Sequence, residues 1–439
     1  MTNHDSNILL QRFHPAMVFA FLFIGSAIRA DDWPQYRGPN RDGAWNETGI
    51  LEKFPADGLK YRWRVAVAQG FSSPVVANGR VYVTDVILAK PRADERVLCF
   101  DEVTGQSLWT FVYEVKYPDW AFGREEERSG PTSTPIVQEG KVYTLGLEGD
   151  LICLDAIAGK VIWRTNVETE FHVQEFSFNA SLLIEGDLLI LSIGSLQRPQ
   201  DSCVVALDKK SGKTIWKTPD DGLTNSSPIV ISSGGKRQLI VWTTKSVIAL
   251  DPATGSTYWK EPENLGTGYA VATPILKGDL LLVGGIMLKL QADRPAASTL
   301  WPAGKGSRGR VLSNTSTGLL QGDHVYSAMS SGQLICLEAG TGKQLWEDTH
   351  VTSQQSGSSI HITPNGSRVF LFTDQGNLIL ARLSPEGYTE ISRARLIEPT
   401  FPFGGKKRSW TPPAFANRHV FARTDKELVC ASLAATEGK

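Results

Sequence analysis

The sequence repeats a short phrase that limits what the chain can fold into. In each copy an acidic residue is followed by Gly four positions later and by Trp eight positions later. Trp301 continues the period between the fourth and fifth copies, and Ile391 continues it after the fifth. Units of about 40 to 55 residues made of short β-rich runs are typical of β-propellers, with one four-stranded sheet per unit. The five copies begin at Asp101, Asp155, Asp208, Asp251 and Glu338 and end at Trp109, Trp163, Trp216, Trp259 and Trp346.

The turns between the predicted strands give the number of blades. In the second unit the runs STPIV, KVYTLGL, LICLD and KVIWRT alternate apolar with polar residues or stack β-branched ones, which favours four strands. The first hairpin of each unit turns at Gly or Asn, which tolerate the positive φ that tight hairpins require. The turns predict eight blades and lie at Asn78 with Gly79, Gly140, Gly186, Gly234 with Gly235, Gly278, Gly322, Asn365 with Gly366, and Asn417.

The two ends of the repeated region are predicted to share one blade. The last unit, residues 410–434, has three strands but no Trp strand, whereas KYRWRV at residues 60–65 carries Trp63. Pairing this N-terminal strand into the last blade would close the ring and remove two open edges. We therefore predict an all-β fold, an eight-bladed β-propeller of four-stranded antiparallel blades over residues 59–439. A cap segment rich in Gly, Pro and Asn precedes it at residues 31–58.

The first 30 residues are typical of an export signal. Arg12 precedes the apolar run AMVFAFLFIG, and small residues follow it up to Ala30. The run is about half the length that crosses a bilayer, so we predict a cleaved signal peptide at residues 1–30 and no membrane span in the mature protein. Cleavage after Ala30 is preferred, cleavage after Ala27 stays open, and the alternative to a signal is a disordered tail. The expected location is periplasmic or secreted.

Charge and cysteine positions each exclude a class of protein. Lys and Arg number 45 against 46 Asp and Glu, so the bulk charge does not indicate a nucleic-acid partner. Four of the five cysteines occupy one slot of the repeated strand, where two other units have Ala206 and Ala249. A slot that accepts Cys or Ala is a small buried position, so we expect free core cysteines rather than disulfides. They are Cys99, Cys153, Cys336 and Cys430, with Cys203 near the start of such a strand.

The repeated phrase, preceded by a strand ending in Ala-Leu or Cys-Leu, resembles the repeat of the pyrroloquinoline-quinone-type propellers. This family includes the eight-bladed quinoprotein alcohol dehydrogenases and the non-enzymatic propeller subunit of the outer-membrane β-barrel assembly machinery. The opening WPQYRGPNRDG at residues 33–43 is similar to the start of many exported bacterial propellers. The resemblance implies that the blade-end Trp packs against the next blade around the repeated Gly, which is a structural role.

Loop length distinguishes the two rims of the predicted ring. The first and third turns of each blade form one rim, called here the turn rim. The second turns and the inter-blade connectors form the other, called the loop face. The long segments, at residues 86–96, 114–131, 169–177, 194–202, 302–313 and 394–409, all fall on the loop face. Binding residues tend to lie on loops of a rigid scaffold, so this face is the candidate ligand site, the alternative being featureless spacers.

Charged residues on the long segments are the candidate ligand-face residues. The acidic connectors after blades one and two are expected to face the basic connectors after blades five and seven across the mouth of the channel. Hydroxyl residues that begin the innermost strands, such as Ser133 and Thr134, are expected to ring this mouth, as a site or as filling of a water-filled axis. The candidates are Arg124, Arg128, Glu170, His172, Glu175, Arg308, Arg310, Lys406, Lys407 and Arg408.

Two functions from different classes are compatible with the sequence. We favour a binding or scaffold module without catalytic residues that engages a protein, peptide or glycan as a monomer. The alternative is a quinoprotein-type dehydrogenase that oxidises an alcohol or sugar with pyrroloquinoline quinone and Ca²⁺; no cofactor is expected otherwise. The adjacent Cys pair that the resemblance implies over the quinone is missing. The set Glu170, His172 and Glu175 is more typical of a solvated loop than of a metal site.

Overall fold

The computed structural model describes residues 1, 32–125, 128–172, 179–193, 203–219, 221–262, 270–302 and 312–435. Within these ranges the chain forms eight four-stranded antiparallel sheets and one two-stranded hairpin. The predicted eight-bladed propeller is therefore confirmed. The predicted signal peptide and its cleavage sites lie outside the described residues, apart from Met1. We find no helical stretch among the described residues with the length and hydropathy of a membrane span.

Each blade is built from four strands that are consecutive in the chain, except that the eighth borrows the first strand. The closing strand is β1 (Lys60–Ala66). Blades 1 to 4 are β2 (Val75–Ala77), β3 (Arg80–Ala89), β4 (Arg92–Asp101), β5 (Ser107–Val115); β6 (Ile136–Gln138), β7 (Lys141–Leu145), β8 (Asp150–Asp155), β9 (Val161–Asn166); β10 (Leu183–Glu185), β11 (Leu188–Ser192), β12 (Val204–Asp208), β13 (Thr214–Lys217); and β14 (Ile229–Ser233), β15 (Lys236–Trp242), β16 (Ser246–Leu250), β17 (Thr257–Pro262).

Blades 5 to 8 continue the same order. They are β18 (Ile275–Lys277), β19 (Leu280–Val283), β20 (Ile286–Leu290), β21 (Ala297–Trp301); β22 (Leu319–Gln321), β23 (His324–Ala328), β24 (Leu334–Glu338), β25 (Gln344–Asp348); β26 (Ile360–Asn365), β27 (Arg368–Thr373), β28 (Asn377–Ser384), β29 (Gly387–Arg395); and β32 (Ala414–Ala416), β33 (His419–Arg423), β34 (Glu427–Ser432) with β1. The hairpin β30 (Phe401–Phe403) and β31 (Lys406–Arg408) joins blades 7 and 8, a 3₁₀ turn covers Asp119–Phe122, and α1 (Val167–Phe171) follows blade 2.

The hydrophobic cores lie between neighbouring blades. One cluster joins Tyr82 and Cys99 of blade 1 to Val142 and Ile152 of blade 2, and all four side chains are buried. First strands of adjacent blades contact one another, so these strands surround the central channel. All five cysteines are buried and free, which confirms that prediction.

The repeated phrase produces one contact at successive blade boundaries. Its acidic residue caps the turn, as where Asp101 Oδ1 accepts the Thr104 N–H at 2.8 Å. Its Gly has positive φ and leaves room for the Trp of the preceding blade, because a Cβ on Gly159 would lie 2.6 Å from the Trp109 ring. The indole N–H then donates to a turn carbonyl of the next blade, from Trp109 to Ala156, Trp163 to Lys209, Trp216 to Pro252, Trp301 to Ala339, and Trp346 to Ser384.

The ring closes by this same contact. β1 pairs antiparallel with β34, with Trp63 opposite Cys430. Trp63 packs on Gly105 of blade 1, where a Cβ would lie 2.7 Å from the ring, and donates to the Glu102 carbonyl at 2.8 Å. The N-terminal strand therefore closes the ring, as predicted, and the boundary between blades 8 and 1 carries the same Trp-on-Gly contact as that between blades 1 and 2.

The hydroxyl residues at the starts of the first strands connect neighbouring blades. The Ser73 N–H donates to Thr134 Oγ1 at 3.1 Å, and the Thr134 N–H donates to Ser181 Oγ at 3.1 Å. The same arrangement continues from Ser181 to Ser227 and recurs from Thr273 to Thr317. The hydroxyls of Thr134, Ser181, Ser227 and Thr317 thus accept hydrogen bonds from main chain around the channel, whereas those of Ser73, Ser133 and Thr273 are buried without a partner in the described residues.

Two segments expected to be loops are structured. Residues 86–96 are mostly strand, because β3 and β4 extend to Ala89 and Arg92 and pair along ten positions. Most of the basic part of residues 394–409 is the hairpin β30–β31, which turns at Gly404 and Gly405, both with positive φ. Main-chain pairing thus extends onto the loop face.

The segment at residues 32–58, called here the N-terminal segment, runs across the turn rim and contacts six blades. It buries Trp33, Trp45 and Phe54, which pack on apolar strands of blades 7, 8 and 1. Its contacts with blades 1, 2, 3, 4, 7 and 8 run from Trp33 to Val76, Pro34 to Val137, Arg41 to Leu182 and Pro228, Trp45 to Pro364, and Leu51 to Leu433.

Candidate functional site

Four aromatic side chains from separate parts of the chain meet on the loop face. Phe71 comes from the connector between β1 and blade 1, whereas Phe401, Phe403 and Trp410 come from the connector between blades 7 and 8. Ring centroids lie 5.1 Å apart for Phe71 and Phe401, 5.3 Å for Phe401 and Trp410, and 4.9 Å for Phe403 and Trp410. Phe403 is 37% exposed and the other three are half-buried. We call these four residues the aromatic patch.

The aromatic patch is held rigidly by its neighbours. The Trp410 indole N–H donates to the Gly357 carbonyl at 2.7 Å, which ties the patch to the connector between blades 6 and 7. Gly357 has positive φ, and a Cβ there would lie 2.5 Å from the Phe403 ring, so the hairpin packs directly on this backbone. Only glycine fits at this contact.

Two lysines stand on the second strand of the same hairpin. Lys406 pairs with Phe403 and Lys407 pairs with Pro402, and both lysines are exposed. Arg128 lies close by in the chain, three residues before Pro131, whose carbonyl accepts the Phe71 N–H at 2.9 Å. The loop face near blades 7, 8 and 1 thus combines exposed aromatic surface with cationic side chains.

Arg408 differs from the two lysines beside it. Its guanidinium is 1% exposed and forms an ion pair with Asp374, which is fully buried in the second turn of blade 7. It also donates to Ser353 Oγ at 3.2 Å and to Gln355 Oε1 at 2.9 Å. We therefore correct the expectation that Arg408 faces a ligand: it joins the connectors on either side of blade 7.

Other carboxylates of the loop face are engaged by cations in the same way. Asp85 is buried and accepts two hydrogen bonds from Arg96, at 2.7 and 2.6 Å. Asp221 accepts from Lys260 at 2.5 Å and from the hydroxyls of Thr243 and Ser246. A calcium ion needs six to eight oxygen ligands with carboxylates free to bind it. The three carboxylates Asp85, Asp221 and Asp374 are thus each already engaged by a cation.

Glu95 differs from these three carboxylates, because its hydrogen-bond partners among the described residues include no cation. It is fully buried in β4 and accepts from Tyr113 at 2.5 Å, from Tyr117 at 2.7 Å, and from the Leu147 N–H at 3.0 Å. Burial raises the pKa of the Glu95 carboxyl, although these hydrogen bonds oppose the rise. The interaction fastens the second turn of blade 2 to blade 1.

The structure separates the remaining candidate residues. Arg124 is exposed and Arg128 half-buried after blade 1. Glu170 on α1 accepts the Thr214 hydroxyl at 2.5 Å, and His172 ends that helix in the left-handed conformation. In the described ranges no three His, Cys, Asp or Glu residues could hold a metal ion. Glu175, Arg308 and Arg310 lie outside the described residues, and so does most of the basic connector expected to oppose the acidic ones.

Sequence reasoning missed the aromatic patch. The available signal was the run Phe401-Pro402-Phe403 followed by two glycines, which places two aromatic residues just before a hairpin turn. The contribution of Phe71 could not be inferred, because it depends on the ring bringing both ends of the chain together.

Comparison with known families identifies the repeat. A family model described as outer membrane protein assembly factor BamB matches residues 54–119, 93–262 and 200–437. The chain belongs to this family of PQQ-like propellers. Among family relatives, BamB of Shewanella oneidensis is 22% identical over 246 residues, covering 54% of this chain and 62% of its own. A quinoprotein ethanol dehydrogenase of Pseudomonas aeruginosa is 35% identical over 104 residues, covering 23% of this chain and 16% of its own.

Solved structures of the PQQ-like family share the fold. BamB from Moraxella catarrhalis matches with a TM-score of 0.60 at 17% identity, over 87% of this chain and 99% of that one. Quinohemoprotein alcohol dehydrogenase from Comamonas testosteroni matches with a TM-score of 0.64 at 14% identity, over 94% and 82%. The chain spans less than two thirds of the length of the two curated relatives named above.

Proposed function

We propose that this chain is an exported binding or scaffold module that engages a protein or peptide partner through its loop face. The observation that carries the proposal is the aromatic patch, a group of partly exposed rings fixed beside Lys406 and Lys407. Aromatic residues held in one conformation are typical anchors of protein interfaces, because little entropy is lost when they bind.

The charge around the aromatic patch favours an acidic partner. Lys406 and Lys407 are exposed, whereas the neighbouring carboxylates Asp85 and Asp374 are buried and paired. Exposed cations beside an anchor steer and orient a partner of opposite charge over a range of about 8 Å at physiological salt.

Relatives support the choice of a protein partner. Several are named as outer membrane protein assembly factors, which is an assembly role. We place this chain in the periplasm or outside the cell because of its first 30 residues, and we expect a monomer. The site we propose comprises the aromatic patch with Lys406, Lys407 and Arg128, and it leaves out Arg408.

A quinone-dependent dehydrogenase is the second candidate, favoured by the segment shared with a quinoprotein ethanol dehydrogenase. We propose that the chain needs no cofactor, since the carboxylates Asp85, Asp221 and Asp374 are already paired. Titration of the mature chain with pyrroloquinoline quinone and Ca²⁺, followed by absorbance, tests this directly. Micromolar Ca²⁺-dependent binding with dye-linked alcohol oxidation would replace the first proposal by the second.

A matched pair of charge reversals tests the loop face. The double variant Lys406→Glu with Lys407→Glu changes two exposed lysines beside the aromatic patch. The control, Lys160→Glu with Lys213→Glu, makes the same change at exposed positions of the turn rim. Crosslinking in the native exported fraction, at low and high salt, should lose partners with the first variant and keep them with the control. If both variants retain the wild-type partners with the same salt dependence, the loop face is not the docking surface.

A further inference from the structure

The turn rim contains a groove that the N-terminal segment leaves open. Its volume is about 540 Å³, and it lies beside the first strands of blades 4, 5 and 6. The apolar side chains of Ile231, Ile275 and Leu319 contribute to its lining. Arg41 and Asp42 of the N-terminal segment close one side, so the groove lies at the edge of an intramolecular interface.

The N-terminal segment shows how the first strands bind extended chain. The Val76 N–H donates to the Trp33 carbonyl at 3.0 Å, and the Trp33 N–H donates back at 2.8 Å, which is an antiparallel bridge. On blade 2 the Val137 N–H donates to the Pro34 carbonyl at 2.8 Å. Val76 and Val137 are each the middle residue of a three-residue first strand, so this position directs its main chain toward the channel.

Blades 5 and 6 present the same position without a partner. Leu276 and Leu320 are the middle residues of β18 and β22, and both line the groove. Within the described ranges neither makes a main-chain hydrogen bond to a residue outside its own sheet. An exposed strand edge of this kind is a template for pairing with an extended peptide.

Arg41 adds an unpaired charge at the inner side of the groove. Arg41 is 6% exposed. Its guanidinium donates to the carbonyls of Leu182 at 2.7 Å and Pro228 at 3.1 Å and to Gln35 Oε1 at 3.3 Å. Nε has no hydrogen-bond partner, and no carboxylate of the described chain forms an ion pair with this residue. Burial without an anion lowers the pKa of Arg41 to about 10.

The direction of the first strands determines which end of a bound peptide would approach Arg41. Leu182 and Pro228 directly precede β10 and β14, so the guanidinium lies at the inner ends of first strands, away from the turn rim. A peptide that enters from the turn rim and pairs antiparallel, as Trp33 does, runs inward with its C-terminus leading. Its terminal carboxylate therefore approaches the depth of the guanidinium.

We propose that the groove binds the C-terminal end of an extended polypeptide as an added strand on blade 5 or 6, with the terminal carboxylate on Arg41. The apolar lining receives alternate side chains, and the free edges supply main-chain hydrogen bonds. A carboxylate can accept the hydrogen bond that Arg41 Nε lacks, and charge-assisted hydrogen bonds between arginine and a carboxylate are stronger than those to neutral acceptors. The groove is independent of the loop face because the two lie on opposite rims.

Binding of a defined peptide tests the proposal. The probe is a fluorescent N-terminally capped TVTVTV peptide with a free C-terminal carboxylate, compared with its C-terminal amide by anisotropy on the mature chain. We expect the acid to bind about tenfold more tightly than the amide, since only the acid can form a charge-assisted hydrogen bond between its terminal carboxylate and the Arg41 guanidinium. Equal binding of the two peptides, or no binding at about 1 mM, would overturn the proposal.

Two sets of variants assign the contacts. Arg41→Met should abolish the preference for the acid, whereas the control Arg237→Met should keep it, because Arg237 lines the groove but is already paired with Glu185. If Arg41→Met still prefers the acid over the amide, or if Arg237→Met loses this preference as well, the assignment of the carboxylate site to Arg41 is contradicted. If Arg41→Met fails to fold, the comparison of acid with amide on the wild-type chain still decides.

The strand edge is tested by removing its N–H groups. The double variant Leu276→Pro with Leu320→Pro should weaken both peptides strongly, whereas Leu276→Ala with Leu320→Ala keeps the N–H groups and should retain the preference for the acid. Thermal unfolding checks that each variant is folded. Equal affinities in the proline and alanine variants, or displacement of the peptide by acetate at equal concentration, would reject strand pairing.

Discussion

The two rims of the ring are held together by different interactions. The turn rim relies on main-chain hydrogen bonds and buried aromatic residues of the N-terminal segment, such as Trp45, which packs 5.2 Å from Phe415. The loop face relies on buried charges, as where Asp374 binds Arg408 and Asp85 binds Arg96. The cover of the turn rim is thus mainly apolar, although Lys209 and Glu139 form an ion pair there, whereas buried ion pairs fasten the connectors of the loop face, so the two rims can be perturbed separately.

Truncation should have the largest effect. A chain that begins at residue 67 lacks both the N-terminal segment and β1, so it cannot close the ring and should aggregate without a cooperative unfolding transition. A chain that begins at residue 59 retains β1 and loses only the cover of the turn rim, so it should unfold cooperatively at a lower temperature. Scanning calorimetry distinguishes the two. Identical melting of both truncated chains would show that closure by β1 is not what holds the ring.

Breaking the buried ion pair of the loop face should rank second. Arg408→Met leaves the Asp374 carboxylate buried without its cation and should lower the free energy of unfolding by about 3–5 kcal/mol. Adding Asp374→Asn should recover part of this loss, because no uncompensated charge remains. Urea unfolding of the single and double variants measures the difference. A loss below about 1 kcal/mol would mean that the pair does not stabilise this rim.

Acidification should have a smaller effect through His361, which lies in β26, the first strand of blade 7. Its Nε2 lies 2.7 Å from the Trp410 carbonyl, and burial lowers the pKa of His361 to about 4. The neutral form is therefore favoured by folding, and its contribution is present above about pH 6.5 and lost as the pH falls toward 4. His361→Asn should reduce the fall in unfolding free energy over this window by up to roughly 3 kcal/mol.

The carboxyl of Glu95 titrates in the opposite sense, since its raised pKa favours the folded state at low pH. Glu95 is present in both the wild type and the His361→Asn variant, so its contribution cancels when their unfolding free energies are subtracted. Unfolding followed at several pH values between 7 and 4 provides the test. Parallel pH dependences of wild type and His361→Asn would contradict the assignment.

The smallest effect on stability is expected where we place the binding surface. Lys406→Glu with Lys407→Glu changes exposed side chains and should alter the free energy of unfolding by less than about 0.5 kcal/mol. The turn-rim control, Lys160→Glu with Lys213→Glu, should behave alike. A loss above about 1 kcal/mol in the first variant alone would indicate that these lysines support the hairpin and are not free for a partner.

The repeat made the fold predictable, down to the closing strand. Trp63 could be assigned to the last blade because that blade lacked the Trp strand that the others have. The loop prediction at residues 86–96 was wrong, because β3 and β4 continue through this segment and pair along ten positions. Glu95 in this segment is buried, because its carboxylate accepts hydrogen bonds from the hydroxyls of Tyr113 and Tyr117. Tyr113 lies on the next strand and Tyr117 on the connector after it, so these partners could not be inferred from the segment itself.

The candidate site was less predictable because its residues meet only in the closed ring. Three consecutive basic residues, Lys406 to Arg408, look equivalent in the sequence, yet only the third is buried, because it pairs with Asp374 from blade 7. Phe71 and Trp410 are far apart in the chain and come within 6.3 Å of each other because blades 8 and 1 are neighbours. Periodicity predicts elements that recur, whereas these contacts occur once.

Closure of the ring has a consequence for local opening. A linear array of repeats frays from its ends, since a terminal repeat detaches by breaking one interface. Here β1 pairs with β34 and Trp63 packs on Gly105, so the ring has no free end, and releasing any one blade requires two interfaces to break together. Amide hydrogen exchange in β7, β15 and β27 should then be uniformly slow and follow global unfolding, with no gradient from either end of the chain.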